Sequence, residues 1–330
     1  MSRYEEADLE RLRTEPVAER ASKVSAESLA RPAADPGSFA QLWDGLPPYL
    51  AAEDLRALAR AVVRARAGRR PVVWMLGAHS IKVGLSPILL SLVREDLATL
   101  LAVNGAFAIH DAELALWGRT SEEVDAGLHA GRFGMARETA EVLNGAAVEG
   151  VRRGEGLGEA IGRSLAERRS DWRTESVLGA CYEAGIPVTV HVAIGTDIVH
   201  QHPGFSGAAT GECSARDFRI LAGHLREMAG AVVVNVGSAV ILPEVFLKAF
   251  SVAANLGASS EGLVTAALDF VRHYRPLRNV VQRPPGPQGS GYYLVGHHEI
   301  LLPLLHQGIR LERERRGAEC PPGGPQVGTR

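Results

Sequence analysis

The sequence predicts a doubly wound α/β fold: a mostly parallel, Rossmann-like sheet with helices on both faces and a helical insertion. Three observations carry that reading. Five short runs are continuously apolar, amphipathic stretches separate most of them, and small or polar residues close each run. Continuous rather than alternating apolar strands suit a parallel sheet covered on both faces. Strands interleaved with helices give the α/β order.

Residues 1–50 form an arm of mixed charge, punctuated by RPAADPG and DGLPP, that is expected to pack on the body or on a neighbouring subunit. The body spans 51–310. It opens with AAEDLRALARAVVRARAGRR (51–70), a helix stopped by Gly. PVVWMLG (71–77) is the first strand, and IKVGLSPILLSLVRED (81–96) switches to helical periodicity. LATLLAVNG (97–105) is the second strand, with a helix over 106–117 and a helical block over 120–184. GIPVTVHVAIG (185–195), AGAVVVNVG (229–237) and GLVTAALD (262–269) supply three more strands, with helices over 215–228 and 239–256. RPPGPQGSG (283–291) is a loop, HHEILLPLLHQGIRLERERR a closing helix, and 311–330 a disordered tail. GEGLGEAIG (154–162) imitates a glycine-rich dinucleotide motif, but a helical stretch precedes it, so it reads as a helix–helix turn.

Bulk properties exclude several function classes. With 330 residues and 46% hydrophobic content, the chain can bury a large core. Lys+Arg 36 against Asp+Glu 38 leaves no basic footprint for nucleic acid. The N-terminus lacks an apolar leader and no run reaches the ~18 apolar residues of a membrane span, so no membrane partner is expected. Cys181, Cys213 and Cys320 form no CxxC pair, which fits a reducing, cytoplasmic setting. Lysine occurs only at Lys23, Lys82 and Lys248, so any imine-forming amine is one of these.

In such a sheet, ligands bind beyond the carboxyl ends of the strands. Gly77-Ala78-His79-Ser80 follows the first strand, where small residues admit a ligand and the next helix offers amides to a pyrophosphate. Asn104 and Gly105 follow the second, leading to His110, Asp111 and Glu113. The third ends in His191, then Asp197, His200 and His202; Asn235, Gly237 and Ser238 close the fourth; Asp269, Arg272 and His273 close the fifth.

The segments PVVWMLGAHSIKVGLSPILL, LATLLAVNGAFAIHDAELAL, GIPVTVHVAIGTDI and VVVNVGSAVILPEVF together resemble the deoxyhypusine synthase family. That family uses NAD to move an aminobutyl group from spermidine to a protein lysine. The resemblance runs from about Pro71 to Leu305 in pattern, with few identities. It implies NAD, a small cationic amine such as a polyamine, and a homo-oligomer, a tetramer in that family. NAD is then expected near Gly77, Ala78, Ser80, Asn104, Gly105, Gly237 and Ser238. Asp111, Asp197, Glu244, Asp269, His273 and Glu299 would line the amine site. His297, His110, Lys82 and Glu113 are the candidate catalytic groups, histidine being the residue type that exchanges protons near neutrality.

Two departures limit the expected chemistry. Where the family ends a segment in Trp-Gly-Lys, this chain has GSGYYLVGHHEI, with His297 nearest the lysine; where the family has a paired histidine, Pro243 and Glu244 stand here. Lysine-linked transfer is therefore not expected, leaving direct transfer or amine oxidation. The alternatives are a metal-assisted hydrolase on His200, His202 and Asp197, and a non-catalytic NAD-binding protein.

Overall fold

The structure, a computed structural model, describes residues 13, 29–35 and 37–319, and the chain divides into two compact units, Met1–Tyr49 and Leu50–Arg330. In the first, helix α1 (Phe39–Gly45) is capped by Ser38, whose Oγ accepts from the Gln41 amide at 3.3 Å. Most of the expected arm, Lys23 included, and residues 320–330 of the expected tail lie outside the described residues.

The second unit holds the sheet. In chain order it runs α2 (Leu50–Ala67), β1 (Val72–Leu76), α3 (His79–Lys82), α4 (Ser86–Arg94), β2 (Leu100–Asn104), α5 (Gly105–Trp117), α6 (Val124–Leu128), α7 (Arg137–Arg153), α8 (Leu157–Glu167) and α9 (Val177–Ala184). Then come β3 (Val188–His191), α10 (Gly207–His224), β4 (Val232–Val236), α11 (Ile241–Asn255), β5 (Val264–Asp269), α12 (Tyr274–Pro276), β6 (Ser290–Val295) and α13 (His298–Glu319). All six strands are parallel, in the order β3-β2-β1-β4-β5-β6, with Trp74 level with both Leu101 and Val234. This is the Rossmann order, whose two halves wind in opposite directions from the β1–β4 pair.

Burial follows the expected logic. The β1, β2 and β4 strands are almost wholly buried, which is why their sequences are apolar on both faces. Val73, Met75, Leu100, Ala102 and Val233 pack with Leu221 of α10 and Leu242, Phe246 and Ala249 of α11. On the opposite face α2 packs against α13, and Trp74 donates its indole N–H to the Leu97 carbonyl at 2.9 Å.

Three elements differ from expectation. The helix over 81–96 breaks at Gly84, which takes φ +79°, so a single turn precedes α4. β6 stands where a loop and an unassigned segment were read. It is an edge strand paired only with β5, with just Tyr293 and Leu294 buried, so no continuous apolar run announces it. Gly291 within it lies so close to the Val281 carbonyl that a Cβ would stand 1.9 Å away. Helix α13 runs to Glu319, past the expected domain end at 310. The expected helix–helix turn at GEGLGEAIG joins α7 to α8 through Gly154, at φ +72°.

The insertion between β2 and β3 is tied down by buried carboxylates. Asp217 of α10 accepts from the amides of Gly158 at 2.9 Å and Val190 at 2.7 Å, joining the start of α8 to β3. Its other oxygen has no partner, and Gly156 leaves room for it. Burial lifts the Asp217 carboxyl to about 7 against the amide bonds that oppose the rise. The native state therefore holds the extra proton between about pH 4 and 7, and stability falls as pH rises through that window. Asp217→Asn keeps one acceptor and cannot ionise. Its stability relative to the parent should grow from pH 4 to 7, with about 4 kcal/mol as the ceiling. Denaturant melts across that range check this; a difference independent of pH would refute it.

Candidate functional site at the carboxyl ends of the strands

The two halves of the sheet diverge between β1 and β4, and there the backbone closes on itself. A Cβ at Gly77 would stand 2.2 Å from the Gly237 carbonyl. Gly237 adopts φ +64°, and a Cβ there would lie 2.7 Å from the His298 ring. Only glycine serves at either position. The chain leaves β1 into α3 and β4 into α11, which opens the ligand crevice of a doubly wound sheet.

The residues expected around NAD split into two kinds. The backbones of Gly77, Ala78, Gly237 and Ser238 stand at this divergence, where the Ile81 and Lys82 amides of α3 donate to the Ala78 carbonyl at 3.1 Å. The side chains are otherwise committed. Ser80 is fully buried and donates to the Gly77 carbonyl at 2.9 Å. Ser238 caps α11 by accepting from the Leu242 amide at 3.2 Å, and Asn104 caps α5 by accepting from Phe107 at 3.0 Å. Gly105 is buried against the Asp197 carboxylate, 2.0 Å from where a Cβ would sit.

Over β1 and β2, three of the four expected catalytic residues assemble. Thr120 Oγ1 donates to Glu113 Oε2 at 2.5 Å, so it accepts from His110 Nδ1 at 2.6 Å, and Thr139 donates to the other Glu113 oxygen at 3.0 Å. This fixes the His110 tautomer and leaves Nε2 as an acceptor. Burial first, and the Lys82 charge second, lower His110 to about 4. His110 is thus a neutral imidazole beside an exposed cation.

His297 lies at the other end of the row, beyond β6. It is 68% exposed at its side chain, stacks on Phe270 with centroids 6.4 Å apart, and places Nδ1 3.7 Å from Glu299 Oε1. Asp269 is buried at the end of β5, accepts from the Phe270 amide at 2.9 Å, and stands 3.8 Å from His273 Nε2. Asp269, His273, His297 and Glu299 therefore share one rim.

His298, a strand-end histidine to which the sequence assigned no role, is fully buried, with its ring 5.2 Å from His79 and 6.3 Å from Phe270. Its signal was present: 298, 302, 305 and 309 form a helical stripe, and Leu302, Leu305 and Ile309 are all fully buried. Two buried acceptors here have no partner, His298 Nδ1 and Asn235 Oδ1.

Other expected residues have structural duties. Asp111 is fully buried and caps α9, accepting from Ser176 Oγ at 2.8 Å and from the Val177 and Leu178 amides at 2.7 and 3.1 Å. It lines no amine site; burial lifts it to about 6 despite those bonds. Glu244 is engaged by Lys248, by Arg275 at 3.2 Å and by Asn279 at 2.9 Å. Asp197 caps the turn Ile198–Gln201, with burial lifting it to about 6. His200 Nδ1 accepts from the Gly195 amide at 3.1 Å, and His202 Nε2 donates to the Gly134 carbonyl at 2.8 Å. Among the described residues no group of three such side chains could hold a metal, so the metal-assisted reading finds no geometry. Trp117 is 40% exposed and borders a cavity of about 810 Å³ with Trp172, within the insertion rather than at the strand ends. No helix among the described residues is long and apolar enough to cross a membrane.

Solved structures share this architecture at low identity. AgrE in ternary complex with ornithine and NAD+ matches with a TM-score of 0.50 at 18% identity, over 80% of this chain and 34% of AgrE. A LOR/SDH protein from Methanococcus maripaludis S2 matches at 0.50 and 16%, over 81% and 71%. A protein described as a deoxyhypusine synthase, from Entamoeba histolytica, gives 0.46 and 9%, over 82% and 92%. The chain thus spans about a third of AgrE. The shared feature is a Rossmann-like α/β fold; the deoxyhypusine synthase likeness is too distant to place the chain in that family. No protein-family model and no curated protein matches the sequence.

Removing the Lys82 charge should raise the His110 midpoint from about 4 while leaving it short of 6.5, because burial persists. NMR titration of His110 in Lys82→Met reads this directly. An unmoved midpoint would show that the two side chains are electrostatically independent.

Proposed function

We propose that the protein is an NAD-dependent enzyme acting on a small cationic amine, by amine oxidation or by direct aminoalkyl transfer. The observation that carries the reading is the β1–β4 divergence at the carboxyl edge of a Rossmann-order sheet, beside the buried acceptors His298 Nδ1 and Asn235 Oδ1, which lack partners. These features fit a dinucleotide: Ala78 and Gly237, half-buried at this edge, offer backbone to a ligand, and the exposed Lys82 at the end of α3 brings positive charge for phosphate. AgrE, on the same fold, holds ornithine with NAD+. NAD, when bound, supplies a hydride acceptor.

The chain's own groups would do the rest. Asp269 and Glu299 would supply negative charge for an ammonium, with His273 beside Asp269 and His297 beside Glu299. His297, exposed beside Glu299, is placed to take the proton that an ammonium must lose before its carbon gives up hydride. Lysine-linked transfer has no support: position 297 is histidine, Lys248 is paired with Glu244, and Lys82 ends the turn α3. A homo-oligomer belongs to the same proposal, with Phe270, Tyr274 and Ile300 exposed at the rim.

Calorimetry should show NAD binding at millimolar concentration or below, and its absence would remove the reading. With NAD and spermidine, borohydride should trap no lysine adduct; one on Lys82 would restore the covalent route. His297→Ala should cut amine-dependent NADH formation at least ~100-fold, the usual scale of a lost general base. Unchanged turnover would eliminate that role.

A further inference from the structure

The buried histidine at the head of α13 carries an inference that rests on the dinucleotide reading and refines it. His298 Nε2 lies 3.1 Å from the Leu268 carbonyl, which can only accept, so Nε2 bears the proton. Nδ1 is then a bare lone pair, buried and without a partner. An acceptor stranded in this way costs about 1–3 kcal/mol, and such a cost persists most readily where a ligand relieves it.

The surroundings define the missing donor. Burial lowers the His298 pKa, so the ring stays neutral. The ring meets Gly237 on one side and the rings of His79 and Phe270 on others. Fixed backbone holds the imidazole, whereas the cover is made of side chains: Phe270 is 50% exposed and His79 half-buried. Burying an ammonium against a neutral ring is costly, whereas an uncharged N–H suits it.

We propose that His298 Nδ1 accepts a hydrogen bond from the carboxamide N–H of a bound nicotinamide, making His298 the residue that recognises that ring in the crevice. His298 would set affinity for the nicotinamide half of the dinucleotide and leave the ADP-ribose half untouched.

Calorimetry with two ligands separates this from its premise. The parent protein should bind both NAD and ADP-ribose. His298→Phe should weaken NAD about tenfold, the loss expected for one hydrogen bond, and leave ADP-ribose unchanged. His298→Gln, which keeps a donor for Leu268 and an acceptor beyond it, should recover most NAD affinity and serves as the folded reference should the Phe variant fail to fold. If the parent binds neither ligand, the dinucleotide reading falls and the inference with it. If the parent binds both, but His298→Phe weakens both equally or neither, the reading stands and the His298 assignment is overturned. Full loss in a folded His298→Gln would also overturn it.

Discussion

The parallel pairing of β1 with β4 is the contact on which the rest of the molecule depends. Val72 through Leu76 sit level with Val232 through Val236, and the Gly77 amide extends the ladder to the Val236 carbonyl at 2.8 Å. Because the two strands leave in opposite directions, the helices on each face are separated at this line, and the crevice above it is a product of topology rather than of any loop. The glycines at 77 and 237 keep that line closed at its carboxyl end, where side chains would force the strands apart.

A second constraint is the price of burying carboxylates. Asp111, Asp197 and Asp217 are all buried, and each is raised by burial from 3.8 to between about 6 and about 7. Each also accepts backbone amides at the start of a helix or turn, satisfying donors that the helix itself leaves open. Titration behaviour of this kind accompanies catalytic carboxylates too, and here geometry separates the uses. Asp111 and Asp217 point into helix starts, whereas Asp269 stands on the rim beside His273, His297 and Glu299.

Fold was legible in the sequence wherever residues are buried on both faces. The five strands read as apolar runs match β1 to β5: β1, β2, β4 and β5 are central in the sheet, and β3, at an edge, is buried under α8 and α10. β6 escaped because an edge strand carries a mixed pattern and begins beside Pro and Gly. At the site, sequence indicated which strand ends matter but not which side chains are spent on structure. Asn104, Asp111 and Ser238 have the composition of ligand contacts and the geometry of caps, and residue type alone does not separate the two. His297 and His298 show the limit most sharply: adjacent in sequence, one is exposed and the other enclosed, and only the helical phase set by Leu302 and Leu305 tells them apart.

The capping of the insertion has a consequence for how the chain acquires its structure. Helix α8 begins without a side-chain cap and α9 with Ser176 alone, and the groups that complete them come from Asp217 and Asp111, which lie 59 and 65 to 67 residues away along the chain. Such contacts form late, since a long loop must close before they are gained. The insertion thus depends on the body: cut out alone, it would lose Asp217 of α10, the carboxylate that caps the start of α8. A lineage that varied the start of α8 would have to keep Asp217 of α10 in step with it, so the insertion and the sheet edge beneath it are one unit of inheritance.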